Sequence, residues 1–547
     1  MSETSWWRGG VIYQIYPRSF YDTSNNGVGD LKGIIQKLDH IASLGVDAIW
    51  ISPFMKSPMK DFGYDVSDYK SVDPVFGDLD DFKNLLDKAH GLGLKVLIDM
   101  VWSHSSDQHD WFKESTSTRD NAKADWYVWA DPKADGTAPN NWLSWFGGPA
   151  WTWSAKRRQY YLHHFLKEQP ALNLWNPDVR AAIKDTAAFW LDMGVDGFRL
   201  DVANLYLADK HLRDNPSRPE GEPLPVDPPP SNPIIFQIRQ YSVNQPENID
   251  LVEEIRAFVD QWPDRCLLAE AGCCEDSELT AAQYTQQNKR FSQAYSFTLL
   301  ASDMSKQPII NAMTHVGKII EDGWMCWATS NHDFARPVTR MNPPKDLQHK
   351  AALLNMAIGL SLRGSYCMFQ GEELGLPQAQ LTFEELQDPY DKALYPEHAG
   401  RDGSRTPIPW EYSKPNCGFS NAEKTWLPVY PEHVFLSVDL QEKNADSTLN
   451  HYRNFIAYRK NSDILKTGDV ELLDAHSDIL AFERRLGDKR VLCLYNISQN
   501  ENSIELTAMG YFSVRFIEEI SHGSVLTDLH LDFDSYGYAF FEIDPND

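Results

Sequence analysis

Cysteine is scarce in this chain, and its distribution does not suggest a disulfide framework. Seven cysteines occur in 547 residues, an odd number, at positions 266, 273, 274, 326, 367, 417 and 493. Several lie within apolar runs, such as the Val-Leu-Cys-Leu segment at 491–494. The adjacent pair at 273 and 274 does not have the spacing of a zinc knuckle. We therefore expect reduced, buried thiols rather than disulfide bonds.

Long apolar runs and a surplus of basic residues are also missing. No apolar run approaches the length of about 18 residues that a membrane-spanning helix needs. Lysine and arginine number 51 against 78 acidic residues, so the net charge is −27. A surface with this net negative charge repels phosphate backbones and anionic lipid, so we expect neither nucleic acid nor membrane partners. Because residues 1–10 show no basic segment followed by an apolar stretch, we expect no secretory signal and a cytoplasmic location.

The composition is that of a folded protein, with 42% apolar and 24% charged residues. Short β-rich apolar segments alternate with amphipathic helical patterns over most of the length. Eight such segments occur, at 11–16, 48–52, 95–99, 197–201, 266–270, 294–297, 325–329 and 364–369. Continuous apolar strands separated by helices are typical of a parallel sheet, and eight of them favour a closed barrel. The predicted fold class is α/β, a (β/α)8 TIM barrel.

Three segments interrupt or extend this pattern. Residues 104–174, rich in Trp, Asn and Gly, predict a small domain inserted after the third strand, and its Trp142 and Trp145 favour an aromatic core over a sugar platform. Residues 215–233 contain eight prolines and predict an extended surface excursion. From about residue 470 the apolar period becomes two, and Leu-Gly-Asp-Lys at 486–489 predicts a hairpin. The predicted domains are a barrel (1–103 and 175–469), an inserted domain (104–174) and a C-terminal antiparallel β domain (470–547).

Acidic and basic side chains recur where the predicted strands end. In a parallel barrel these ends meet at one mouth, where active sites lie. The residues are Asp99 and His104 at the third strand, Arg199 and Asp201 at the fourth, Glu270 at the fifth, and His332 and Asp333 after the seventh. Asp201 and Glu270 come from adjacent strands, so their carboxyls could approach at roughly 5 Å, as a retaining glycosidase requires. Arg199 shares a strand face with Asp201 and would keep it ionised.

These segments resemble the signature regions of glycoside hydrolase family 13, the α-amylase family. The matching segments are Asp-Met-Val-Trp-Ser-His at 99–104, Gly-Phe-Arg-Leu-Asp at 197–201, Glu270 and Asn-His-Asp at 331–333. Further matches lie at 14–20, 63–69, 370–375 and 400–407, and these resemble the α-glucosidase and oligo-1,6-glucosidase branch. The resemblance covers nearly the whole chain, in order.

The resemblance implies roles for the acidic residues. Asp201 would be the nucleophile, Glu270 the general acid/base, and Asp333 a third carboxylate that grips and distorts the sugar ring. Asp65 and Arg401 would close the far end of the pocket around the terminal glucose, which makes the enzyme exo-acting.

The remaining implied site residues bind the same sugar or support the acids. His104 and His332 would hydrogen-bond its hydroxyls, while Arg199 orients the nucleophile. Tyr64 is either a stacking floor or a packed core tyrosine, and Asp99 is assigned to the substrate-binding group. Ala171 stands where related glucosidases usually carry aspartate, a position of local support.

The implied activity is release of α-glucose from short α-glucosides, α-1,4 and/or α-1,6 linked, with transglucosylation. The alternative is a dedicated α-glucosyltransferase acting on sugar or alcohol acceptors. In this branch a valine after the nucleophile, here Val202, tends to accompany α-1,6 activity, whereas the proline-rich excursion resembles that of α-1,4 enzymes. Inactive transporter-associated relatives carry a membrane span and have lost catalytic carboxylates, unlike this chain.

The chemistry needs no cofactor, but one loop resembles the family's Ca²⁺ or Mg²⁺ loop. Oxygens of Asp22, Ser24, Asn26, the Val28 carbonyl and Asp30 occur at every second residue, as in a hard-cation loop. Ser24 and Asn26 reduce the negative charge of this set. The alternative is a Gly-Asn turn without an ion, and any ion would be structural.

Overall fold

The eight predicted strands form a closed parallel barrel in the computed structural model, which describes residues 5–222, 231–272, 274–397, 400–476 and 478–544. The strands are β1 Val11–Ile15, β2 Ala48–Ile51, β3 Lys95–Met100, β4 Gly197–Leu200, β5 Cys266–Glu270, β6 Gln293–Tyr295, β7 Met325–Trp327 and β8 Ser365–Phe369. Each pairs with its sequence neighbours, and β1 pairs with both β2 and β8. Apart from Lys95 at the start of β3, their residues are buried, which explains their continuous apolar sequences. The (β/α)8 prediction is confirmed.

Helices surround the barrel and complete the connections between its strands. The α-helices are Leu31–Ser43, Leu79–Gly91, Asp110–Ser115, Pro177–Met193, Asn248–Val259, Ser277–Gln283, Thr298–Ala301, Lys306–Ile319, Pro337–Met341, Gln348–Ser361, Pro389–Leu394, Arg401–Ser404, Val438–Gln441, Thr448–Lys460 and Asp463–Thr467. Short 3-10 helices are Pro17–Ser19, Ala203–Leu205, Pro233–Phe236, Lys345–Leu347, Pro415–Gly418, Pro431–Leu436, Leu506–Met509 and Glu518–Ile520. Local sequence fixes several helix starts: Asp78, for example, forms a capping box with Asp81. None of the helices in the described residues is long and apolar enough to cross a bilayer.

The segment between β3 and the helix Pro177–Met193 contains a separate small sheet. Its antiparallel strands are Trp129–Ala130, Trp151–Ser154 and Gln159–Leu162, with the last in the centre. Trp142 is buried against Trp151 in the apolar core of this segment. Trp145, by contrast, lines the pocket at the barrel mouth and does not belong to this apolar cluster, so the sugar-platform alternative stays open for this side chain.

The C-terminal part is a seven-stranded antiparallel sheet, as the period-two pattern predicted. Its strands are Asp469–Leu472, Ile479–Leu486, Lys489–Asn496, Asn502–Glu505, Val514–Phe516, His522–Thr527 and His530–Ile543. The predicted hairpin is present, with Leu486 opposite Lys489 and Gly487 at a φ of 60°. The exact domain boundaries at 103/104, 174/175 and 469/470 stay predictions. A further two-stranded ribbon joins Met55–Lys56 and Asp68–Val72.

The cysteines follow the composition-based expectation where the structure describes them. Cys266, Cys274, Cys326, Cys367, Cys417 and Cys493 are buried and free. Cys273 lies outside the described residues, as do residues 223–230 of the proline-rich excursion.

Candidate active site

One buried guanidinium organises the carboxylates at the barrel mouth. Arg199, on β4, is 1% exposed and stacks on the Trp50 ring, with 4.8 Å between the guanidinium carbon and the ring centroid. Its Nη1 donates to Asp99 at 2.9 Å and to Asp201 Oδ1 at 2.7 Å, and its Nη2 donates to Glu270 Oε2. The parallel register explains the convergence, because Asp99 and Leu268 are the strand partners of Arg199. Three acids therefore share one positive charge.

The two predicted catalytic carboxylates each have one oxygen held and one oxygen free. Among the described residues, Asp201 accepts a hydrogen bond only at Oδ1 and Glu270 only at Oε2. The second donor to Glu270 is the Val202 amide, at 3.0 Å. Both carboxylates line the pocket, so the free oxygens are available to a substrate.

Backbone strain stands next to the proposed nucleophile. Val202 has a φ of 34° and a ψ of 52°, in the left-handed region that a β-branched residue rarely adopts. This conformation directs the Val202 amide to Glu270 while its side chain lines the pocket. Backbone strain of this kind clusters at active sites and ligand-binding sites, where it holds functional groups in a required geometry at a cost in stability.

A second cluster of charges lies at another wall of the pocket. Arg401 contacts Asp61 at 2.9 Å and Asp333 at 3.3 Å. Arg405 donates to Asp333 at 2.9 Å, and both arginines contact the fully buried Asp388. Burial alone would raise the pKa of Asp333, but His332, Arg401 and Arg405 outweigh it and hold that pKa below its usual range. Asp333 is therefore ionised near pH 7 and able to accept hydrogen bonds.

The prediction that Asp65 pairs with Arg401 is wrong, because Asp61 takes that place. The Asp65 carboxylate is fully buried and accepts from the Ser57 hydroxyl and from the amides of Lys60 and Asp61. Asp65 thus closes the turn that presents Asp61. The two acids are four residues apart in a loop, where no periodicity distinguishes them.

The assignment of Asp99 to substrate binding is also wrong. Asp99 is 2% exposed and does not line the pocket. Besides Arg199, it accepts from Trp50 Nε1 at 3.2 Å and from the Tyr64 hydroxyl at 3.0 Å. Arg199 likewise lies behind the pocket, so both residues position the groups that face it.

The predicted aromatic and histidine ligands lie in the pocket wall. The Tyr64 ring stacks on His332 with 5.3 Å between centroids, and both rings line the pocket, as does His104. Burial lowers the pKa of His104 to about 4 and that of His332 to about 3, so both rings are neutral near pH 7. Gln14 donates to His332 Nδ1, which leaves the Nε2 proton facing Asp333.

Sequence reasoning missed several residues of the pocket. They are Asp61, Phe165, Gln169, Phe297, Phe334 and Tyr390. Gln169 lies two residues before Ala171, and Asp61 lies two residues before the segment at 63–69, so these neighbours could have pointed to both residues. The aromatic residues carry no comparable signal.

The charges around Arg199 predict where activity is lost in acid. Burial raises the pKa of Asp201 well above its usual range, with Arg199 opposing, and raises that of Asp99 to about 6. A carboxylate with a raised pKa takes up its proton at higher pH, so the ionised nucleophile is lost as pH falls through that value. We expect the acid limb of kcat/KM to lie clearly above pH 4, as a property of the coupled cluster.

The measurement is the pH profile of kcat/KM for the wild type and for Asp99→Asn. Removing the Asp99 charge should move the acid limb to lower pH, because that charge raises the pKa of Asp201. A wild-type limb at or below pH 4, the ordinary aspartate value, would contradict the expectation.

Comparisons with known proteins agree with this geometry. A family model described as the α-amylase catalytic domain matches residues 14–468. A probable α-glucosidase of Rhizobium meliloti (strain 1021) is 48% identical over 505 residues, covering 92% of this chain and 91% of the relative. An oligo-1,6-glucosidase of Heyndrickxia coagulans is 35% identical over 544 residues, covering 92% and 94% of the two chains.

Solved structures are similar over the whole chain. The crystal structure of an α-glucosyl transfer enzyme, XgtA, has a TM-score of 0.95 at 46% identity and covers 99% of this chain and 100% of its own. The trehalulose synthase MutB from Pseudomonas mesoacidophila MX-45 has a TM-score of 0.90 at 28% identity, with the same coverage. The chain therefore belongs to the α-amylase family of glycoside hydrolases, glycoside hydrolase family 13, in its α-glucosidase and oligo-1,6-glucosidase branch.

Proposed function

We propose that this protein is a retaining, exo-acting α-glucosidase that removes α-glucose from the non-reducing end of short α-glucosides and also transfers it to acceptors. One observation carries the proposal. Asp201 and Glu270 are held by a single guanidinium, each with one oxygen free towards a pocket that also contains Asp333. Two carboxyls so placed are the machinery of double displacement.

In the first step, the free oxygen of Asp201 forms a bond to the anomeric carbon. The glycosidic bond breaks, and Glu270 gives its proton to the departing oxygen. Negative charge thereby leaves Asp201, which becomes an ester, and appears on Glu270. Because Arg199 contacts both carboxylates, the charge it faces is unchanged across the step.

In the second step, Glu270 takes a proton from water or from an acceptor hydroxyl. The deprotonated oxygen attacks the anomeric carbon, and the ester bond to Asp201 breaks. Two inversions retain the α configuration. Throughout, Asp333 is an ionised hydrogen-bond acceptor, and His104 and His332 are neutral partners for sugar hydroxyls.

The exo-action is proposed from the charged wall around Arg401. Its ion pairs with Asp61, Asp388 and Asp333 link three loop segments across one side of the pocket. A wall tied together in this way would block a chain that continues past the terminal glucose, while its charged groups could bond the hydroxyls of that glucose. Small oligosaccharides and glucosides are the proposed substrates.

A dedicated α-glucosyltransferase is the second candidate, favoured by the similarity to XgtA, an α-glucosyl transfer enzyme. Both activities share the glycosyl-enzyme, and they differ in whether water or another hydroxyl reaches it. The aromatic side chains of Phe297 and Phe334 line the pocket and would limit access of water.

The test is a product time course on maltose, isomaltose, sucrose, trehalose and soluble starch, with and without an added alcohol. We expect α-glucose as the first product from the short substrates, little attack on starch, and transfer products when the acceptor is present. Proton NMR gives the anomer at early times. β-Glucose as the initial product would contradict the retaining mechanism. Transfer products with almost no free glucose would favour the transferase.

Linkage choice is proposed to depend partly on Val202. The resemblance associates valine with α-1,6 activity, and the structure has this side chain in the pocket wall. One side chain in an apolar wall shifts discrimination by about 1–3 kcal/mol. We expect activity on both linkages, with the ratio of kcat/KM on isomaltose to that on maltose falling about tenfold or more in Val202→Thr.

Val243→Thr is the matched control, because Val243 packs in the same apolar cluster and does not line the pocket. Its ratio should equal that of the wild type. An unchanged ratio in Val202→Thr would assign linkage choice to the loops instead.

The structural cation and the cytoplasmic location stay predictions. In the loop at 22–30, Asp22 accepts from the amides of Ser24, Asn25 and Gly27, and Asp30 accepts from Thr23. Asn26 Oδ1 accepts from the Val28 amide. These bonds leave carboxylate lone pairs available, so they are compatible both with a Ca²⁺ or Mg²⁺ loop and with a Gly-Asn turn without an ion. The six free cysteines support a reducing compartment such as the cytoplasm.

A further inference from the structure

Three histidines and an aspartate meet where the barrel helices adjoin the C-terminal sheet. His349 is at the start of the helix Gln348–Ser361, and His522 begins the strand His522–Thr527. Asp446 precedes the helix Thr448–Lys460, which carries His451 in its first turn. None of the four lines the active-site pocket, and the proposed glucosidase chemistry does not use them.

The spacing of these groups suits a small cation. Each of three residues offers one ligand atom, and these atoms lie within 4.8 Å of one another; the residues are His349, Asp446 and His522. His522 Nε2 is 3.6 Å from Asp446 Oδ1. Ligand atoms around a tetrahedral Zn²⁺ lie roughly 3.3 Å apart, given bonds of about 2.0–2.1 Å. Modest side-chain movement would therefore bring these ligand atoms to three of the four coordination positions of the ion.

A buried nitrogen points to a missing partner. His349 Nδ1 lies 3.0 Å from Thr448 Oγ1, which fixes the ring. His349 Nε2 is buried and makes no hydrogen bond of normal geometry among the described residues, although the backbone of Asp446 lies close enough to interact with the ring. A buried polar atom without a partner is costly, and a metal ion would satisfy it.

The surroundings support metal binding as well. His451 Nε2 lies 2.9 Å from Asp446 Oδ1, a hydrogen bond of the kind that orients a ligating carboxylate. A neutral imidazole offers one lone pair to a metal ion. The positive charge of Lys350 would disfavour a cation at this site, but its Nζ forms an ion pair with Asp534 at 3.1 Å.

We propose that His349, Asp446 and His522 form a Zn²⁺ site that ties the C-terminal sheet to the barrel helices. Two imidazoles and a carboxylate are ligands that Zn²⁺ accepts, and water would fill the fourth position. His451 is a positioning residue through its bond to Asp446. Asp446 is exposed, which gives the ion an entry route.

The experiment titrates chelator-treated, full-length protein with Zn²⁺ alone in a calorimeter and measures thermal unfolding. We expect one Zn²⁺ per chain, and a Tm higher by about 2–5 °C at a hundredfold excess over Kd. His349→Gln, Asp446→Asn and His522→Gln should each abolish the stoichiometric binding and the rise in Tm. His451→Gln should weaken binding by about 10–100-fold.

His530→Gln is the matched control, since His530 also belongs to the C-terminal sheet and contacts two acids, Glu505 and Asp532. It should bind Zn²⁺ like the wild type. Circular dichroism and unchanged glucosidase activity verify that each variant is folded. Absence of wild-type binding, or equal binding in the His349, Asp446 and His522 variants, would overturn the proposal, the latter placing the ion elsewhere, for instance among the catalytic carboxylates.

Discussion

Asp201→Asn is expected to lower kcat/KM on maltose by about 10⁴-fold or more while the protein stays folded. An amide cannot form the glycosyl ester, and loss of a covalent nucleophile is among the largest single-residue effects in enzymes. The amide oxygen can still accept from Arg199, which also keeps its contacts to Asp99 and Glu270. Steady-state kinetics with purified protein give the loss.

Stability separates this effect from misfolding. Burial raises the pKa of Asp201, so its ionised form is less favourable in the folded than in the unfolded chain at neutral pH. A neutral isostere removes that penalty, and the Tm of Asp201→Asn at pH 7 should equal or exceed that of the wild type. A second variant, Asp201→Ala, should form β-glucosyl azide from an activated α-glucoside and azide, because a single displacement inverts the anomer. Wild-type-like turnover in Asp201→Asn would refute the nucleophile assignment.

Glu270→Gln is expected to lose activity in a way that depends on the leaving group. General acid catalysis contributes about 10²–10⁴-fold, and only a poor leaving group needs the proton. We expect kcat/KM on maltose to fall by that factor, and that on a dinitrophenyl α-glucoside to fall far less. The glutamine side chain keeps an oxygen that can accept from the Val202 amide, so the backbone conformation next to Asp201 should stay the same.

Azide provides the control for Glu270→Gln. It needs no general base, so it should accelerate turnover of the activated substrate and yield α-glucosyl azide, since the covalent intermediate still forms on Asp201. Glu372→Gln is a comparison at a buried glutamate that does not line the pocket, and azide should leave its rate unchanged. Equal losses of Glu270→Gln on both substrates would point to another acid.

The sequence by itself determined the barrel and the carboxyl groups that meet at its mouth. Each barrel strand is a short apolar run with a sharp end, and the carboxyl ends of parallel strands meet at one mouth. For that reason Asp201, Glu270 and the segment 331–333 could be placed together without coordinates. The period-two pattern fixed the C-terminal sheet in the same way, because alternation and a Gly-Asp turn are local properties.

Only the tertiary structure decided which loop residues face the pocket. Asp61 and Asp65 are alike in sequence, but the backbone amides of the turn engage Asp65 and leave Asp61 for Arg401. Asp99 lies inside its strand, level with Arg199, whereas Asp201 follows the end of its own strand. Asp99 therefore accepts from Arg199, Trp50 and Tyr64 and lies behind the pocket. The carboxyl ends of parallel strands lie at one edge of the sheet, so chain order alone predicts where their side chains meet. The orientation of a loop carboxylate depends instead on which hydrogen-bond donors the tertiary fold places near it.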